Sequence, residues 1–201
     1  MGNDVIGYVS AQAGLLKNAH KENILTPQIV AGAKVSTEQG WFGKGEIGYG
    51  TGLHAKVEAG KAFEMTDSFE FTTSVGGQYY KSNKERDYYS KCFEVEKNQS
   101  PTWKPSDLRG YANAGVNFKG NWGNVGIGVQ GGVKHSSTPL LQPGQLDYNI
   151  GQVIDAAENS GKKTKFYATP TVTTKINMGK CWSFNADVSL EQGSIGIAYN
   201  F

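Results

Sequence analysis

The sequence predicts an all-β chain: an up-and-down antiparallel transmembrane β-barrel of about ten strands, with long loops at one end and short turns at the other. Three observations predict it. Apolar and polar residues alternate with period two through nearly the whole chain, and helical periodicity is nearly absent. The connections between alternating segments sort by length according to strand parity. Glycine supplies 27 of 201 residues while hydrophobic residues reach only 38%, below the roughly 45–50% of an ordinary soluble domain. A membrane barrel shows lipid only every second side chain and so averages out as polar.

Other classes are excluded on the same page. No stretch approaches the roughly 20 apolar residues of a membrane helix. Twenty Lys and Arg against 18 Asp and Glu leave a formal charge of +2, which argues against a nucleic-acid binder. The length suits a single domain, residues 1–201. Met1-Gly2-Asn3-Asp4 lacks a basic stretch followed by an apolar one, so no signal peptide is expected in the sequence as it stands.

The ten alternating segments follow in order. Val5, Val9, Ala11 and Leu15 face away from Tyr8, Ser10 and Gln12; Ile29, Ala31, Ala33 and Val35 from Lys34 and Ser36. Trp41, Ile47 and Tyr49 oppose Lys44 and Glu46, and Leu53, Ala55, Val57 and Ala59 oppose His54, Lys56 and Glu58. The fifth sets Phe69, Phe71, Val75 and Tyr79 against Glu70, Ser74 and Gln78; the sixth sets Ala112, Ala114, Val116 and Phe118 against Arg109, Tyr111, Asn113 and Asn117. Val125, Ile127, Val129 and Val133 alternate with Gly126, Gly128, Gln130 and Lys134, and Ala168, Pro170, Val172 and Ile176 with Tyr167, Thr169, Thr173 and Lys175. Last come Trp182 to Glu191 and Ser194 to Phe201, a hairpin with Gln192-Gly193 expected at its turn.

Connections after even segments are short, near 37–40, 64–67, 120–123 and 178–181, whereas every long one, near 17–26, 81–107 and 136–162, follows an odd segment. A membrane barrel with both chain ends on one side produces this parity, with short periplasmic turns and long external loops.

Three features predict that the apolar face points outward. The polar face carries Lys34, Lys44, Lys56, Arg109, Lys119, Lys134 and Lys175 with Glu46, Glu58, Glu70, Asp187 and Glu191. It is rich in glycine, which suits a crowded interior. Aromatics (Trp41, Tyr49, Phe69, Tyr79, Phe118, Trp182, Tyr199, Phe201) gather near segment ends, as in interfacial girdles. Unpaired charges are too costly inside a narrow barrel, so a salt-bridged lumen network is expected. Its members are Lys34, Lys44, Glu46, Lys56, Glu58, Glu70, Arg109, Lys134, Lys175 and Asp187. The network either plugs the barrel or lines a narrow, weakly anion-favouring pore.

The ending Gly196-Ile197-Ala198-Tyr199-Asn200-Phe201 resembles the C-terminal strand of bacterial outer-membrane β-barrel proteins. The resemblance implies an outer-membrane location, contact with lipid and lipopolysaccharide, and an assembly signal in Tyr199 and Phe201 read by the barrel-assembly machinery. It does not imply an activity, since one fold hosts many functions.

The chemistry-bearing residues are few. His20, His54 and His135 show no metal-ligand spacing, so no metal and no cofactor is expected. On a strand His135 and Ser137 share the outward face, a base beside a nucleophile at the level of the outer leaflet. With Asp147 they resemble the outer-membrane lipid A deacylases locally, although Thr138 replaces the asparagine of that family's motif. The loop 81–107 mixes Lys81, Lys84, Arg86, Lys91 and Lys97 with Tyr88, Tyr89, Phe93 and Trp103, a composition suited to a protein partner. Ile150–Glu158 has the pattern of a short amphipathic helix. Cys92 and Cys181 fall at opposite ends of the barrel, so no disulfide between them is expected. The leading expectation is a non-enzymatic outer-membrane barrel presenting its external loops; a lipid esterase and a small porin-like channel are the alternatives.

Overall fold

The computed structural model describes residues 3–17, 23–26, 28–83, 86–87, 102–104, 106–137 and 162–201. Ten strands build its wall: β1 (Asn3–Lys17), β2 (Gln28–Thr37), β3 (Trp41–Gly50), β4 (Gly52–Thr66), β5 (Phe69–Ser82), β6 (Ser106–Gly120), β7 (Gly123–Ser137), β8 (Lys162–Asn177), β9 (Trp182–Ser189) and β10 (Gln192–Asn200). Each pairs antiparallel with its neighbour in sequence, and β10 pairs with β1 from Tyr8↔Asn200 to Leu16↔Gln192. Closure leaves no open edge around the ring, as a sheet immersed in lipid requires. Two short additions lie at one end: Asn23–Leu25 extends the pairing of β1, and Arg86–Asp87 pairs with Thr102–Trp103.

The turns between β2 and β3, β4 and β5, β6 and β7, and β8 and β9 lie at one end, the turn end, where Phe201 also exchanges backbone hydrogen bonds with Gly7. The connections from β5 to β6 and from β7 to β8 leave the opposite end, the loop end. The wall is taller there: β6, β7 and β8 are 15, 15 and 16 residues long, against 8 and 9 for β9 and β10.

Side-chain direction is inverted relative to a soluble domain. Ile29, Tyr49, Val57, Ile127, Val129 and Ile195 are exposed on the outside, whereas Ser10, Asp107, Arg109, Gln130, Lys134, Ser136 and Thr169 are buried inside. In water the outer face would strand apolar surface and the interior would bury charge. The arrangement suits a wall with lipid outside.

The last hairpin differs from its expected form. The turn falls at Leu190-Glu191, and Gln192 and Gly193 already belong to β10. The Ser189 hydroxyl decides this. Its Oγ accepts from the backbone N–H groups of Glu191 and Gln192, at 3.2 and 3.0 Å, and donates to the Gln192 carbonyl at 3.1 Å. A serine-anchored turn thus replaces the glycine turn.

Candidate functional site in the barrel lumen

The strand register stacks lumen residues into rows that run around the wall. One row joins Tyr8, Gly32, Glu46, Lys56, Gln78, Arg109, Lys134 and Lys165 across β1 to β8. It places three cations, Arg109, Lys134 and Lys165, on adjacent strands, and like charges directly opposite are destabilising. Carboxylates from other levels offset this repulsion. Asp107 holds Arg109 Nε at 2.5 Å on one oxygen and accepts the Ser136 hydroxyl at 2.7 Å on the other. Lys134 pairs with Glu191, from the β9–β10 turn.

These cations also cross the lumen. Arg109 Nη2 donates to the Lys17 carbonyl at 2.5 Å, and Lys134 Nζ donates to the same carbonyl at 3.2 Å. Lys17 ends β1, which lies diametrically opposite β6 in the ring. Asp107, Arg109 and Lys134 are 1%, 2% and 3% exposed, so the charged groups of the crossing are themselves buried. Beside it Leu16 of β1 and Tyr80 of β5 form a buried apolar pair, with the Tyr80 hydroxyl 3.2 Å from Thr51 Oγ1. A polar strut and an apolar contact therefore bridge the lumen near its loop end.

Below the strut the charges pair along the wall. Glu46 accepts the Tyr8 hydroxyl at 2.5 Å and pairs with Lys44 at 3.2 Å. Glu58 accepts the Ser74 hydroxyl at 2.6 Å and lies 3.7 Å from Lys56. Glu70 pairs with Lys119 and accepts from Asn117 Nδ2 at 3.2 Å. Lys34, Lys175 and Asp187 also face the lumen but make no ion pair among the described residues. Glycine makes room for the large groups: a Cβ on Gly76 would stand 2.7 Å from the Tyr111 ring. Among the described residues two adjoining cavities line the lumen. One of about 490 Å³ reaches up to Leu16, Gln28, His54 and Tyr80, and one of about 1000 Å³ opens toward the turn end at Thr37, Glu38 and Gly40.

Sequence reading missed Asp107, Ser136, Tyr80 and the Lys17 carbonyl. The sequence places Asp107 at the end of the long loop 81–107, yet it sits inside β6 on the face of Arg109 two residues on. That two-residue spacing was the available signal. Tyr80 continues the face of Gln78 and carried the same signal.

The remaining candidates are dispersed. His135 faces outward with Nδ1 2.8 Å from Thr164 Oγ1. Ser137 ends β7, its side chain lies outside the described set, and Asp147 lies outside the described residues. His54 is buried in the lumen with Nδ1 3.3 Å from Gln28 Nε2. His20, Cys92, most of the three long connections and Ile150–Glu158 lie outside the described residues. Cys181 carries a free thiol in the β8–β9 connection, and no metal-binding group occurs among the described residues. Tyr199 lies on the outer face, edge-on to Trp182 at 5.2 Å, and Phe201 is exposed at the turn end.

Closed ten-strand pairing, an apolar outer belt, a charged interior and long connections confined to one end now stand together. The fold is that of a small outer-membrane barrel. No family model matches the chain and no curated protein matches it. Among solved structures it is similar to the KdgM porin (9% identity, 96% of this chain and 99% of that chain covered, TM-score 0.38). It is also similar to the NanC porin (10%, 95% and 98%, 0.37). A third is Ail, the attachment invasion locus protein of Yersinia pestis, in complex with the heparin analogue sucrose octasulfate (10%, 100% and 100%, 0.33). At such low scores these likenesses carry no conclusion about activity, and the assignment stands on the chain's own pairing and outer belt.

Proposed function

We propose that the protein is an integral barrel of the bacterial outer membrane that acts as a closed scaffold, presenting its loop-end connections to a protein partner or surface. The observation that carries this reading is the strut. Arg109 and Lys134, rooted on β6 and β7, grasp the Lys17 carbonyl and the β9–β10 turn across the lumen. A conducting pore needs a continuous water path, and buried ion pairs at its mouth oppose one. The loop end then faces outward and the turn end faces the periplasm. Tyr199 and Phe201 serve as the assembly signal, and lipid and lipopolysaccharide contact the apolar belt.

Planar-bilayer recording tests the closure. The wild type is expected to give no stable conductance or very small steps, and Arg109→Ala/Lys134→Ala to give openings that the wild type lacks. Large regular openings of the wild type would overturn the closed scaffold in favour of the second reading, a small porin-like channel. The two adjoining cavities, which together reach from Gly40 at the turn end to Leu16 and Tyr80 near the loop end, are the observation that favours a channel.

A further inference from the structure

We propose that the turn-end part of the lumen is a blind binding pocket for a small oxyanion, held by Lys34 and Lys175. The proposal rests on the closed-scaffold reading: with the loop end bridged, a solute that enters from the turn end, where the larger of the two adjoining cavities opens, binds rather than passes. The chemistry follows from which charges are already engaged. Lys44, Lys56 and Lys119 each have a carboxylate partner, whereas among the described residues neither Lys34, whose nearest acidic influence is Glu70, nor Lys175 has a carboxylate within ion-pair distance. Both line the cavity of about 490 Å³, a size suited to a small solute. Lys34 packs its ammonium 5.2 Å from the centre of the Phe42 ring, which fixes the group without neutralising it.

Lys175 stands between Asn124 on β7 and Asn185 on β9, its cross-strand neighbours. Side-chain amides beside an ammonium add donors, and charge-assisted donors are the strong ones toward an oxyanion. At the mouth Glu64 and Glu70 are held by Lys119, which moderates repulsion of an entering anion. Asp187 lines the same cavity without an ion pair. It opposes an anion, and this opposition supplies a test of opposite sign.

Isothermal titration of the detergent-solubilised full chain with inorganic phosphate is the experiment. Saturable binding is expected. Affinity should fall about tenfold or more in Lys34→Gln and in Lys175→Gln, as expected for loss of a charge-assisted bond. It should rise in Asp187→Asn and stay unchanged in Lys81→Gln, an exposed lysine near the loop end. Heat-modifiable gel migration checks that each variant is folded, and the single substitutions keep the test intact if one fails to fold. Absence of saturable binding, or equal affinity in wild type, Lys34→Gln and Lys175→Gln, would overturn the pocket. A wild type that binds no phosphate and does not conduct rejects the pocket alone. A wild type that conducts rejects the closed scaffold beneath it.

Discussion

Asp107 shows how one side chain carries the electrostatics of the loop end. Its two oxygens are committed to Arg109 and Ser136, and removing it would leave Arg109 beside Lys134 on the next strand with one compensating carboxylate fewer. Breaking a buried pair from one side costs about 3–5 kcal/mol, because the remaining charge stays buried and uncompensated. Asp107→Ala is therefore expected to lower the temperature at which the folded gel band is lost. Asp107→Asn keeps the shape and one acceptor oxygen, with its amide NH2 able to donate to the Ser136 hydroxyl, and is expected to lower it less. Equal, negligible effects of both substitutions would show that the strut contributes nothing to stability.

At the scale of the element, turn chemistry sets where strands stop. Gly40 ends the β2–β3 turn at φ +82, donates its N–H to the Thr37 carbonyl at 2.9 Å, and would place a Cβ 2.1 Å from the Ala62 carbonyl. A branched side chain is strained there and displaces β4. Gly40→Val is expected to destabilise by about 1–3 kcal/mol, the cost of holding a residue in a sparsely populated backbone region. Gly43→Ala, three residues on with open space at its Cβ position, serves as the control and is expected to be close to neutral. Urea unfolding in detergent, followed by tryptophan fluorescence, reads both. Pro170 belongs to the same account: it lies one residue beyond the last β8–β9 pair, Thr171↔Ser189, where a missing N–H costs no bond to β9.

The whole molecule is defined by the inversion of its faces. Ile29, Tyr49 and Val57, at 66%, 65% and 65% exposure, lie on one outer surface with many other apolar side chains. A continuous patch of that kind is not stable in water. The protein is expected to require detergent for purification and to migrate differently on gels before and after heating, since the closed sheet keeps its shape until it is melted. Solubility without detergent, with a single gel position, would contradict the membrane reading.

Legibility divided along a physical line. Period-two alternation is local and marks ten strands with two distinct faces; the charge, glycine and aromatic placement on those faces predicts which one points outward, and the loop lengths supply the parity. The alternation of Phe184, Ala186 and Val188 with Asn185 and Asp187 needs no partner strand to be read. The lumen residues Lys44, Glu46, Lys56 and Glu58 were legible as inward-facing for the same reason. Their partners were not, because pairing depends on register, and register fixes which cation meets which carboxylate. The strut was beyond the sequence altogether: Arg109 and Lys17 are 92 residues apart, and their contact exists because ring closure sets β1 opposite β6. The bond ends on a backbone carbonyl, a group every residue carries, so no residue type announces it. The sequence determined the wall and its alternating faces by local periodicity; the tertiary structure decided which groups meet across the lumen, because those contacts depend on ring closure and register.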